Sequence, residues 1–94
     1  MFFVYILKCA DDSFYVGSAA DVDSRVKEHN DGTLGAAHTF LRRPVRRVYS
    51  ESFEKQVEAM RCERQLKGWS HAKKVALING DMATLKALSK RRVQ

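Results

Sequence analysis

Proline occurs once in these 94 residues, tryptophan once, cysteine twice and glycine five times. So little proline and glycine excludes collagen-like and low-complexity chains. Cys9 and Cys62 form no Cys-x-x-Cys pair. Two lone thiols read as small buried hydrophobes. A zinc site would have to combine them with some of His29, His38 and His71, and no two of these sit at ligand spacing. The apolar start Phe2-Phe3-Val4-Tyr5-Ile6-Leu7 meets Lys8 after six residues, too few for a signal-peptide core. Nothing approaches the ~20 apolar residues of a membrane-spanning helix. The expectation is a soluble, cytoplasmic protein with no membrane partner. Acidic residues are also few, 11 against 17 Lys and Arg, for a net charge of +6. That balance favours a polyanionic partner, nucleic acid before membrane.

What is present is enough for one domain. Hydrophobic residues make up 45% of the chain, which supports a core and excludes wholesale disorder. The charge is divided unevenly. Residues 1–41 hold three basic and six acidic residues, a net of −3. Residues 42–94 hold fourteen and five, a net of +9, beginning at Arg42-Arg43-Pro44-Val45-Arg46-Arg47.

Residues 2–8 are β-branched and aromatic and read as a strand. Ala10-Asp11-Asp12-Ser13 is a turn, and Phe14-Tyr15-Val16-Gly17 completes an antiparallel hairpin. Asp21 can cap a helix over 22–30 that Asn30-Asp31-Gly32 ends. Residues 32–44 read as a loop, and Arg46 to Ser52 as a third strand. From Glu54 the pattern is helical: one helix to about Lys67, a second capped by Ser70 and stopped at Asn79-Gly80, and a third capped by Asp81. Met82, Leu85 and Leu88 share a face of that last helix, and the tail from Lys90 is expected to fray. The order β-β-α-β-α-α-α describes an α+β domain, a small three-stranded antiparallel sheet flanked by helices.

Polar groups interrupt the apolar faces. Val22, Val26 and His29 follow i, i+4, i+7 spacing, with Arg25 one row away, so an arginine and a histidine point with the apolar stripe. Both could simply snorkel at its edge. Ala59, Cys62, Leu66 and Trp69 make a second stripe that Glu63 borders, and a partly buried carboxylate needs a cation beside it. Glu58 flanks the other side. Tyr5 and Tyr15 share a face of the hairpin if paired residue numbers sum to an even value. Gly17 within a strand marks a close approach by backbone or ligand.

Together these positions resemble the GIY-YIG nuclease superfamily. Phe3-Val4-Tyr5 looks like its first strand motif with only the tyrosine kept, and Tyr15-Val16-Gly17 like its second, with valine for isoleucine. Arg25-x-x-x-His29-Asn30 looks like the next signature, Arg42-Arg43-Pro44-Val45 follows, and residues 58–70 look like the segment bearing the metal-binding glutamate, which maps to Glu63. The likeness is greatest to small standalone bacterial members akin to the amino-terminal nuclease domain of UvrC. It covers roughly residues 2–80, so residues 81–94 would be a helix and basic tail packed on or extending that domain.

The resemblance implies metal-dependent hydrolysis of phosphodiester bonds in DNA, structure-selective, with a role in repair or recombination. A binding module that kept the fold without turnover is the alternative. Glu63 would hold a single Mg²⁺ or Mn²⁺. Tyr5 would be the general base, Tyr15 would orient water or phosphate, Arg25 would donate to the phosphate, and His29 would favour the Tyr5 phenolate or relay its proton. Gly17 would allow backbone or substrate to approach closely. His38, Arg42, Arg43, Arg46 and Arg47 would add nucleic-acid contacts, mostly to phosphates. A late asparagine of some members has Asn79 as its candidate counterpart. With so little chain beyond the catalytic fold, target choice would fall to DNA shape or to a protein partner.

Overall fold

The computed structural model describes residues 1–33 and 37–90. Its elements are β1 (Phe2–Lys8), β2 (Phe14–Ala19), α1 (Val22–Asp31), α2 (Ala37–Phe40), β3 (Arg46–Phe53), α3 (Gln56–Lys67), α4 (His71–Ile78) and α5 (Met82–Lys90). The sheet is antiparallel with order β2-β1-β3, so the most apolar strand is central. No helix among the described residues is long and apolar enough to cross a membrane.

Strand alternation sorts the core into two clusters on opposite faces of the sheet. Val4, Ile6 and Val16 pack with Ala59 and Leu66 of α3, and Trp69, Leu77 and Ile78 close over them. Tyr5, Leu7 and Cys9 pack with Val22 and Val26 of α1 and with Val45. Cys62 borders the first cluster and Cys9 belongs to the second, so the sheet separates the two thiols.

The helix ends follow the local chemistry. Asp21 accepts from the Ser24 amide at 3.1 Å, and Gly32 closes α1 at φ 76°. Ser70 caps α4 through the Lys73 amide, and Asp81 accepts from Thr84 at the start of α5. Leu85 is buried and Leu88 half-buried in α5, which packs on α4, while Met82 is 57% exposed. Residues 91–94, the expected frayed tail, lie outside the described residues.

Several boundaries differ from expectation, α1 and β3 each by one residue at the end, and so does one element. β2 runs on to Ala19, because its pairing with β1 continues through Phe3↔Ala19. α3 begins at Gln56, after Lys55 in extended backbone with no side-chain cap. The segment expected to be loop contains α2, one helical turn. Four residues carry no periodicity, so only tertiary contact reveals it: Thr39 is 1% exposed.

Asn30 ties α1 to the start of β3. Its Nδ2 donates to the Val45 carbonyl at 3.0 Å, and its Oδ1 accepts from the Val45 amide at 2.7 Å. Val45 is buried, so removing the amide strands two backbone groups at about 1–3 kcal/mol. Asn30→Ala is therefore expected to lower the Tm by at least about 4 °C. An unchanged thermal transition would mean that water replaces this clamp.

Candidate active site

The hairpin register pairs Tyr5 with Gly17 and Leu7 with Tyr15, sums of even value, so both tyrosines lie on the α1 face. A Cβ on Gly17 would lie 2.5 Å from Tyr5 Oη, 2.7 Å from its Cζ and 3.2 Å from Tyr15 Cε2. The Tyr5 phenol thus crosses the backbone of β2, an outer strand, in space that only glycine leaves open.

Helix α1 delivers its two polar groups to this phenol. His29 is 1% exposed, with Nε2 3.3 Å from Tyr5 Oη and Nδ1 2.8 Å from Thr39 Oγ1. Its ring also meets Tyr15 edge-on, centroids 5.0 Å apart. Burial, and then the nearby Arg25 charge, holds the imidazole below its ordinary pKa. Tyr5 is pushed up to about 12, first by burial and then by Tyr15 and Glu63, against the opposing pull of the Arg25 guanidinium. The resting pair at neutral pH is a protonated phenol beside a neutral imidazole. Arg25 also pairs with Glu28 at 3.1 Å and stays part-exposed, leaving its planar donors accessible.

Glu63 comes from α3, on the other face of the sheet. Ser18 follows Gly17 and so points that way, and its hydroxyl donates to Glu63 Oε1 at 2.8 Å. Lys67, one turn on, reaches Oε2 at 2.8 Å. Partial burial would raise the Glu63 pKa, but the hydrogen bonds from Lys67 and Ser18 outweigh it and hold the carboxyl below its usual range. The carboxylate is therefore ionised and lies near enough to β2 to act on Tyr5.

One carboxylate is an oxygen donor suited to a hard cation that keeps most of its water, as Mg²⁺ does. Among the described residues no three His, Cys, Asp or Glu side chains cluster as metal ligands, so the donor set is unlike that of a structural zinc site. Lys67 is about half exposed, and such a bridge contributes only ~0–1 kcal/mol, so a divalent ion can displace it. Two cavities share Met60 on α3, and Glu63 lines the first. One of about 260 Å³ is lined by Met60, Glu63, Arg64 and Lys67. The other, about 310 Å³, holds Ser18, Arg25 and Met60 in its lining.

The remaining sequence candidates divide. Ser13 donates to Asp11 at 2.6 Å, so its oxygen is left to accept from His38 Nε2 at 3.1 Å. The His38 ring stacks near Tyr15, centroids 6.1 Å apart. Arg42 bonds Asp11 at 2.8 Å and the His38 carbonyl at 2.9 Å, joining the hairpin turn to α2. Arg43 donates to the Phe40 and Asn30 carbonyls and lies over the Phe40 ring. Arg46 is exposed, and Arg47 pairs only at 3.7 Å with Asp23. Asn79 is the exposed C-cap of α4. Ser18, Thr39 and Lys67 were not singled out from the sequence. Lys67 had a signal, since i, i+4 from Glu63 is ion-pair spacing. Ser18 needed the hairpin register, and Thr39 needed α2.

The family model described as GIY-YIG catalytic domain matches residues 1–76. UPF0213 proteins of Staphylococcus aureus strains Mu50 and N315 are each 49% identical over 76 residues, 81% of this chain and 92% of theirs. The solution NMR structure of the UPF0213 protein BH0048 from Bacillus halodurans superposes with a TM-score of 0.54 at 44% identity, covering 84% of both chains. That of the protein EF2693 from E. faecalis gives 0.53 at 30% identity, covering 98% of this chain and 86% of the other.

Proposed function

The chain belongs to the GIY-YIG family, a nuclease superfamily whose substrates are nucleic acids, and on that premise we propose that it is a divalent-metal-dependent endonuclease of DNA. We read it as selective for DNA shape rather than sequence, with a place in repair or recombination. The observation that carries this reading is the Tyr5 hydroxyl, 3.3 Å from a neutral imidazole and within the influence of Arg25 and Glu63.

In the proposed reaction a water oxygen attacks phosphorus. The water proton passes to Tyr5 Oη while the phenol proton passes to His29 Nε2. The P–O bond to the departing ester oxygen breaks, and that oxygen takes a proton from solvent water. A phenol pushed up to about 12 cannot wait as phenolate at neutral pH, so transfer through Tyr5 needs an acceptor behind it, and His29 supplies one. Arg25 donates to the phosphate as its charge grows. Tyr15, held between the His29 and His38 rings, orients the water or a phosphate oxygen. Glu63 would hold one Mg²⁺ or Mn²⁺, which supplies Lewis-acid stabilisation of the phosphate and the leaving oxygen. Arg64 and Lys67, beside Glu63, and Arg46 and Arg47, on β3, offer phosphate contacts that carry no sequence information. Arg42 and Arg43 are engaged within the protein and serve first as braces.

The test is a panel of nicked, flapped, branched and plain duplex DNA, with RNA counterparts, in Mg²⁺, Mn²⁺ or chelator. Metal-dependent cutting of branched DNA, similar for unrelated sequences of one shape, is the expected result. Failure to cut any substrate would overturn it. Salt-sensitive binding without cleavage would identify a binding module instead, and preferential cutting of RNA would move the substrate class.

A further inference from the structure

The turn of helix at 37–40 places a threonine where the proposed proton path ends. Thr39 is 1% exposed, with Oγ1 2.8 Å from His29 Nδ1. A neutral imidazole has one N–H and one lone-pair nitrogen, so two tautomers fit between Thr39 and Tyr5. Two considerations choose between them. Arg25 can only donate, and it acts on the Tyr5 oxygen, so the phenol proton turns toward its other neighbour, Nε2. The phenol, even pushed up to about 12, is also a stronger donor than an aliphatic alcohol. With Nε2 accepting, Nδ1 carries the hydrogen, and in a buried place that N–H needs an acceptor.

We propose that Thr39 is a positioning residue: its hydroxyl oxygen accepts from Nδ1–H of His29 and so keeps the Nε2 lone pair aimed at the Tyr5 hydroxyl. The brace from the hairpin turn through Arg42 and His38 keeps α2, and with it Thr39, in place. The use of the tautomer rests on the proposed reaction; the tautomer itself does not.

That separation governs the experiment. Long-range ¹H–¹⁵N spectra of the full chain with labelled histidine report which ring nitrogen of His29 is protonated. Nδ1–H is expected in the wild type and in Thr39→Ser, and a shift toward Nε2–H in Thr39→Val. An Nε2–H tautomer in the wild type, or an unshifted Nδ1–H in Thr39→Val, overturns the proposal. If Thr39→Val fails to fold, Thr39→Ala replaces it, with the same shift toward Nε2–H expected and the same unshifted result overturning the proposal. On a substrate that the wild type cuts, Thr39→Val should lower kcat by about 10–100-fold with little change in KM, and Thr39→Ser should restore it. Should the wild type cut nothing, the endonuclease reading falls while the spectra still judge the role of Thr39.

Discussion

Glu63→Ala is expected to lower metal-dependent cleavage by about a thousandfold or more while leaving DNA binding largely intact. Charge stabilisation by a bound divalent ion contributes several kcal/mol, and each 1.36 kcal/mol corresponds to about tenfold in rate. Among the described residues Glu63 is the one carboxylate lining the cavity of about 260 Å³, and the cavity lined by Ser18 and Arg25 has none. Its loss frees Lys67 and Ser18, both of which reach solvent, so the fold should tolerate it. Binding of Mn²⁺, followed by electron paramagnetic resonance, should be lost in parallel. Glu63→Gln should behave like Glu63→Ala in cleavage, because the amide can still accept from Ser18 but offers the cation no charge. If either variant cut within tenfold of the wild type, Glu63 would not be the metal carboxylate.

Gly17→Ala is expected to disable the site as thoroughly as removing the Tyr5 hydroxyl. The new Cβ would meet Oη at 2.5 Å and Cζ at 2.7 Å, too close for any real contact. Tyr5 is 1% exposed within the core, so its ring cannot swing away without disturbing Leu7 and Val22. Overpacking of this kind costs about 1–3 kcal/mol of stability. The catalytic loss should be larger, since a displaced phenol leaves both His29 and the attacking water. Tyr5→Phe should lower the rate by about 10²–10⁴-fold, and Gly17→Ala should fall in the same range. Combined, the two should be no worse than either alone, because both act on one hydroxyl. Cleavage by Gly17→Ala near the wild-type rate would mean that the position of the phenol is immaterial.

Much of this site was legible before any coordinates. Tyr5, Gly17, Arg25 and His29 each stood out through strand alternation, helical spacing or the family resemblance, but the meeting of Tyr5 with Gly17 and His29 depends on a hairpin register that the sequence left open. Glu63 was ambiguous with Glu58 until the fold placed it against Ser18 while Glu58 stayed exposed. Register carried that information, and register is set by pairing between strands. Thr39 illustrates the limit more sharply. A single helical turn has no period of its own, and it holds through long-range contacts to His29 and the hairpin. The arginine run at 42–47 was legible as charge but not as use: Arg42 and Arg43 satisfy carbonyls and Asp11, while Arg46 faces solvent.

A three-stranded open sheet has two edges, and this one gives the β2 edge to the site. The β3 edge is eight residues long and pairs with no further strand among the described residues, the kind of template on which proteins aggregate. Arg46, Arg47 and Glu51 stand exposed along it, and a bulge opposite Ile6 and Leu7 twists its start. The strand thus carries its own gatekeepers against strand addition. Neutralising those charges should cost the protein solubility before it costs any step of the chemistry.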